Sequence, residues 1–239
     1  MAPQVRARDY RAQVAEIRRS RLQPRRTDHL YLNLRRLRDD LAAAIVDIEA
    51  REVLDVFCGA RPYEPLFPPG TDYVGLDIDD AYGCADVIST ELLPFPDHSF
   101  DLCFCTQAFY FVADAARAID EMSRVLRPGG HVVITLPSVY PGTERLFAPL
   151  QLRELFTGWE NVDVIESGGT AVSLVTLSNY LGHQVEKRLP RGAGWLFALL
   201  YGLANVVGEA VDAFERRFLA SAPALPANLL LRATRPSTA

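Results

Sequence analysis

The chain has 239 residues, enough for one large domain with modest additions, and 49% of them are apolar, which excludes long disorder. The net charge is −5, yet residues 1–38 carry eleven arginines against Asp9, Glu16 and Asp28. That opening is polar and lacks the apolar run of a secretory leader, so a cytoplasmic protein is expected. Cys58, Cys84, Cys103 and Cys105 are expected as reduced thiols, because Cα atoms two apart on a strand lie about 7 Å from each other, too far to bridge easily. No histidine stands at zinc-ligand spacing.

Residues 9–21 and 28–49 read as helices broken at Pro24. In the second, Leu30, Leu34, Leu37, Leu41 and Ile45 recur at three- and four-residue steps and share one face, with Asp28 expected as the cap. Residues 1–49 are read as a helical extension. A basic arm can address nucleic acid or an anionic membrane. Nucleic-acid readers interleave aromatics, and only Tyr10 and Tyr31 are at hand, so the arm is expected to pack on the acidic body, with no nucleic-acid partner.

From residue 52 the pattern changes. Short apolar runs at 53–57, 72–78, 84–88, 100–106 and 131–136 read as strands, the first of them buried on both faces. A helix over 112–126 stands between the last two, with Ala115, Ala118, Ile119, Met122 and Leu126 inward, and Arg127-Pro128-Gly129-Gly130 turns the chain out of it. Further on come a helix at 150–156, a strand at 161–166, helices near 170–183 and 194–219, and a strand at 228–234. The apolar stretch Ala193 to Val207 is too short to span a bilayer comfortably. Strands alternating with helices imply a doubly wound, mostly parallel seven-stranded α/β sheet over residues 50–239, with a helical insertion at about 168–222.

The segment Glu52 to Phe67, EVLDVFCGARPYEPLF, runs a strand into a glycine-containing turn, where ligands approach the backbone of open α/β sheets. Gly59 suits that approach because it has no Cβ. Asp77 ends the second strand, where a carboxylate can accept both hydroxyls of a ribose. VLDVFCGA, VGLDID, LPFPDHSFDLCFCTQAFYFV and RVLRPGGHVVITLP, in this order, resemble the class I S-adenosylmethionine-dependent methyltransferase family over residues 50–137. The resemblance implies a Rossmann-like fold and S-adenosylmethionine as methyl donor, with S-adenosylhomocysteine as product. It places Asp55 and Gly59 near the methionine moiety, Asp77 at the ribose, Ile78 beside the adenine, Asp86 at the adenine amino group with Val87 as its apolar neighbour, and Thr106 and Gln107 at the floor of the reaction site.

Two departures stand out. The family pattern puts glycine at 57, 59 and 61, where this chain has Phe57, Gly59 and Arg61, followed by the Pro62-Tyr63 pair of a familiar variant. A benzyl group at 57 either crowds the donor pocket or points into the sheet. Tyr110-Phe111 stands where related sequences carry Glu-His. The acceptor is expected to be a small molecule, a saccharide or a glycolipid-like compound. Peripheral membrane contact and a homodimer stay open, since the helix near 194–219 starts very apolar. A non-catalytic scaffold that keeps the fold, or binds the donor or its product without turnover, is the alternative function. A nicotinamide-dependent enzyme is disfavoured because the first turn lacks G-x-G-x-x-G. Of the four histidines, His29 and His183 lie in segments that could cover the pocket, His98 and His131 do not, and no catalytic base is assigned.

Overall fold

In the computed structural model, residues 3–89, 93–139, 145–219 and 225–237 are described. Seven strands form one sheet: β1 (Glu52–Val56), β2 (Asp72–Asp77), β3 (Val87–Ile88), β4 (Phe100–Thr106), β5 (Leu126–Pro137), β6 (Glu160–Ser167) and β7 (Asn228–Thr234). Their spatial order is β3-β2-β1-β4-β5-β7-β6, with β1 to β5 paired in parallel and β7 antiparallel to both β5 and β6. The order reverses between β1 and β4. Such a switch point opens a crevice outside the carboxyl ends of the strands.

Side chains alternate along each strand, so every central strand feeds two cores. Leu54, Val56, Cys103 and Cys105 join the layer of α3 (Ala115–Val125), where Ile119 and Met122 are buried. Val53, Leu102 and Phe104 join the opposite layer with Leu37 and Leu41 of α2 (Tyr31–Ile45). The aliphatic face read from the sequence is therefore the underside of α2, and Leu41 has no exposed surface. All four cysteines are free thiols.

Several boundaries differ from expectation. The expected 9–21 helix is α1 (Pro3–Leu22), and α2 is shorter at both ends than 28–49. Asp28 does not cap α2: its carboxylate accepts from the Arg25 N–H at 2.8 Å and from Arg19, which holds the turn between the helices instead. Only Val87 and Ile88 of the expected 84–88 strand pair with β2. α3 starts at Ala115, capped by Asp114, which accepts from the Arg117 N–H. Leu126 belongs to β5 rather than to the helix, and β5 begins five residues early, because Phe100 pairs with Leu126 and Leu102 already with His131, so Arg127–Gly130 bulge out between the two pairs. Gly130 is forced there, since a Cβ would lie 2.8 Å from the Arg127 carbonyl oxygen.

Beyond β5 the chain runs through α4 (Pro149–Glu154) into β6, then through α5 (Thr170–Glu186) and α6 (Gly194–Phe218) before returning as β7. α5 and α6 form an antiparallel hairpin packed against α2. Five arginines of the basic segment are ion-paired: Arg19 to Glu16 and Asp28, Arg36 to Asp40, Arg38 to Asp39, and Arg26 and Arg35 to Glu209 of α6.

Candidate functional site

The chain leaves β1 through a turn with three left-handed residues at alternate positions, Phe57 (φ 61°), Gly59 (φ 53°) and Arg61 (φ 50°). Glycine adopts this conformation freely, whereas a side chain there carries strain of about 1 kcal/mol or more. The backbone thus keeps the shape of a triple-glycine turn with one glycine left. Two sets of contacts hold it. The Arg61 guanidinium, largely buried, turns away from the crevice and donates to Asp86 Oδ2 at 2.7 Å and to the Tyr73 carbonyl, and it lies 5.0 Å from the Tyr73 ring centroid. Phe57 packs against the core on the α3 side. The turn also lies close on β2, since a Cβ at Gly75 would sit 2.9 Å from Cys58 Sγ.

At the end of β2, Asp77 closes the turn. Its Oδ2 accepts from the Gly59 N–H at 2.8 Å and its Oδ1 from the Ile78 N–H at 2.8 Å. Each oxygen keeps a lone pair, so the carboxylate is held in one orientation and can still accept two further hydrogen bonds. Across the crevice β4 ends in Thr106, and Gln107 follows it. Gln107 is left-handed (φ 55°), with its N–H donating to the Thr135 carbonyl at 2.9 Å. Its Nε2 is buried without a hydrogen-bond partner among the described residues. A buried unpaired donor is costly, and a ligand acceptor would relieve that cost.

These groups border a cavity of about 1110 Å³. Gly59, Asp77, Ile78, Thr106 and Gln107 line it, as does Phe57. The benzyl group therefore does both things the sequence left open: it packs on the sheet and forms cavity wall. The far wall comes from the N-terminal helices, through Ile17, Ser20 and Arg21 of α1 and Leu30 and Leu34 of α2 or its approach. α1 is fastened over the turn by Arg18, whose Nε donates to the Ala60 carbonyl at 2.8 Å. A volume at the upper end of the usual range for small-molecule sites leaves room for two reactants side by side.

Three residues expected at the site lie elsewhere. Asp55 faces the α2 layer, fully buried, with the Tyr73 hydroxyl donating to its Oδ2 at 2.6 Å. Burial pushes its carboxyl up to about 7, against the opposing effect of that hydrogen bond. Asp86 is absent from the cavity lining, and its Oδ2 accepts from Arg61 and from the Gly75 N–H at 2.8 Å, which fastens the turn to β2. Val87 is paired with Leu76 in β3 and is absent from the lining. The histidines do not line the cavity either. His29 and His183 stack at 4.0 Å, and burial holds His29 down at about 4. Burial also pushes the Cys58 thiol up, so it stays protonated and non-nucleophilic.

The sequence reading missed the wall from α1 and α2 and the cavity-lining Tyr63 and Tyr82. Tyr63 had a signal in the Pro62-Tyr63 pair, and its ring is now seen buried between the turn and the α2 layer. The α1 wall had none, since it depends on contacts such as Arg18 to Ala60 that no local pattern announces.

Comparisons with known proteins agree with this geometry. Residues 54–134 match a family model described as a methyltransferase domain. A malonyl-(acyl-carrier protein) O-methyltransferase from Methylococcus capsulatus is 34% identical over 110 residues, covering 46% of this chain and 33% of that protein. A fatty-acid O-methyltransferase from Mycolicibacterium smegmatis is 32% identical over 168 residues, covering 58% and 61%. The chain thus spans less than two thirds of the length of these curated relatives. Among solved structures, the 4+2 cyclase SpnF superposes with a TM-score of 0.55 at 21% identity, covering 85% of this chain and 82% of that one, a likeness of fold alone.

Proposed function

Given that the chain belongs to the class I S-adenosylmethionine-dependent methyltransferase family, we propose that it transfers the methyl group of S-adenosylmethionine to a small molecule with an apolar, acyl-like body. The observation that carries the reading is Asp77, a cavity-lining carboxylate held by the Gly59 and Ile78 N–H groups with lone pairs to spare for a ribose diol. Ile78 and Tyr82 would flank the adenine, Gly59 would let the donor approach the backbone, and the unpaired Gln107 Nε2 would meet a polar group of donor or acceptor.

When bound, the donor supplies an already electrophilic methyl carbon, so the protein's task is to orient the acceptor and exclude water, worth about 7–11 kcal/mol. α1 and α2 serve both ends: they cover the crevice and present Ile17, Leu30 and Leu34 to the acceptor. Those aliphatics favour an acyl-like acceptor over a free saccharide, and the acyl substrates in the names of two relatives support the same choice. No catalytic base is assigned. Asp114 caps α3 and Glu121 is paired to Arg124, so two of the cavity's carboxylates already have structural work.

Calorimetric titration of the intact chain with S-adenosylmethionine and S-adenosylhomocysteine is the first test. Micromolar binding is expected, about −8 kcal/mol, with Asp77→Ala weakening it about tenfold or more through loss of charge-assisted hydrogen bonds. A second reading, a scaffold whose donor pocket is obstructed, is favoured by the one observation that Phe57 lines the cavity. It would replace the first if the intact chain binds neither compound while Phe57→Gly binds both.

A further inference from the structure

The α5–α6 hairpin is built with its polarity reversed. The residues α6 buries are Tyr201, Asn205, Gly208 and Asp212, at helical spacing along one side. The opposite side, Trp195, Leu199, Leu203, Val207, Phe214 and Phe218, is exposed, to 71% at Trp195 and 63% at Leu203. α5 follows in part: Ser173, Thr176 and Asn179 are buried, beside Ala171 and Val172 at its start, while Leu174, Leu181 and Val185 stand out.

The contact between the two helices is polar and close. Asn179 Nδ2 donates to Asn205 Oδ1 at 3.1 Å, and Tyr201 donates to Glu186 Oε2 at 2.9 Å. A Cβ at Gly208 would lie 2.8 Å from Val175 Cγ2, and one at Gly182 3.1 Å from the Tyr201 ring. Small residues and side-chain amides inside with aliphatics outside is the pattern of helices that pair in contact with hydrocarbon, where apolar surface need not be hidden from water. In water, so continuous an apolar face marks a docking surface.

Charge selects the occupant. Every acid of the two helices turns inward or is held: Glu186 by His183 and Tyr201, Glu209 by Tyr31, Arg26 and Arg35, Asp212 by Arg216, and Glu215 by the Ala171 N–H. The exposed fringe is cationic, with Lys187 and Arg188 at one end of the face and Arg217 at the other. A second copy of the chain, set parallel or antiparallel, would bring cations opposite cations with no acid between them. An anionic headgroup layer accepts both ends.

We propose that the α5–α6 hairpin is a membrane-docking element that seats its aliphatic face in the surface of an anionic lipid bilayer. α6 has 25 residues and a mean hydropathy of 1.4 over its most apolar window, enough by length and composition to cross a bilayer. Its inner side is fastened instead to the body, by Asn205 to the Arg26 and Asp28 carbonyls and by Glu209 to Tyr31, so it lies along the interface.

The experiment is flotation of the full chain with vesicles of phosphatidylcholine alone and of phosphatidylcholine with phosphatidylglycerol, read by the bound fraction and by tryptophan emission. The expected result is binding that is strongest on the anionic vesicles and weakened by salt, with a blue shift that Trp195→Phe abolishes while binding persists. Leu199→Glu with Leu203→Glu removes binding to both vesicle types, and Leu181→Glu on α5 weakens it, each with an unchanged melting curve. Lys187→Glu and Arg188→Glu each lower anionic-vesicle affinity about fivefold, the equivalent of ~1 kcal/mol per cation. Absence of vesicle binding by the intact chain overturns the proposal. So does a concentration-dependent dimer that the Leu199→Glu, Leu203→Glu pair dissociates, which would give the face to a second copy.

Discussion

α2 and α6 are both amphipathic, touch each other, and obey opposite rules. α2 presses Leu34, Leu37, Leu41 and Ile45 into the protein and leaves Arg35 and Asp39 half-exposed. α6 presses Asn205 and Asp212 inward and leaves its leucines outside. The difference lies in what each helix faces. α2 lies on a sheet whose upper side is apolar, so burial of aliphatic surface fixes it. α6 lies on α5 and on the polar ends of the N-terminal helices, so hydrogen bonds fix it, through Asn205 to Asn179 and to the Arg26 and Asp28 carbonyls. Periodicity identifies a helix in both cases, but it does not say which side is in.

Four substitutions would sharpen or break that contrast. The largest effect is expected at Leu41→Ala in α2, which removes a fully buried side chain and should lower unfolding free energy by about 3 kcal/mol in denaturant titration. Asn205→Ala in α6 should come next, at about 2 kcal/mol, because it takes their partner from the Asn179 amide and the Arg26 carbonyl, while the Asp28 carbonyl keeps the Tyr31 N–H. A loss under ~0.5 kcal/mol there would mean that hydrogen bonds do not hold the hairpin.

Asp55 is the polar intruder beneath the α2 layer. Its carboxyl is raised to about 7, so the folded chain retains a proton that the unfolded chain releases near pH 4. Stability contributed by this group is therefore present below about pH 4 and is lost progressively as pH rises from there through about 7. Asp55→Asn should flatten that part of the stability profile, while an unchanged slope would place its source elsewhere. The smallest effect is expected at Leu203→Ala on the outer side of α6, within about 0.5 kcal/mol of wild type in the absence of vesicles.

The sequence spoke most clearly where a residue type has one physical use. β4 and β7 were bounded correctly because their apolar runs stop at polar turns, and Asp77 stands where it was expected, at the carboxyl end of β2 and in the cavity wall. Asp55 and Asp86 were assigned to the ligand from the resemblance, and the structure gives one oxygen of Asp55 to Tyr73 and one of Asp86 to Arg61 and Gly75. Which partner a carboxylate takes depends on groups brought in by the fold, here 11 to 25 positions away in the chain. The early start of β5 was hidden for a related reason: proline and glycine signal a break, and a bulge that resumes the same strand gives the same signal as a loop. Arg61 shows the remaining limit. A missing glycine suggests a changed backbone, yet φ stays at 50° because the guanidinium network repays the strain.

The place of β7 in the sheet has a consequence for the order in which the protein assembles. β6 pairs with β7, and β7 with β5, so β5 and β6 meet only through a strand that is synthesised after both α5 and α6. While the ribosome is still making the hairpin, β5 presents an open edge and β6 has no place in the sheet, at the moment the aliphatic side of α5 first emerges. Late closure of non-local pairings slows folding, and an unpaired edge beside apolar surface invites association with other chains. A nascent chain that met a lipid surface at this stage would shelter its hairpin before β7 arrived to complete the sheet.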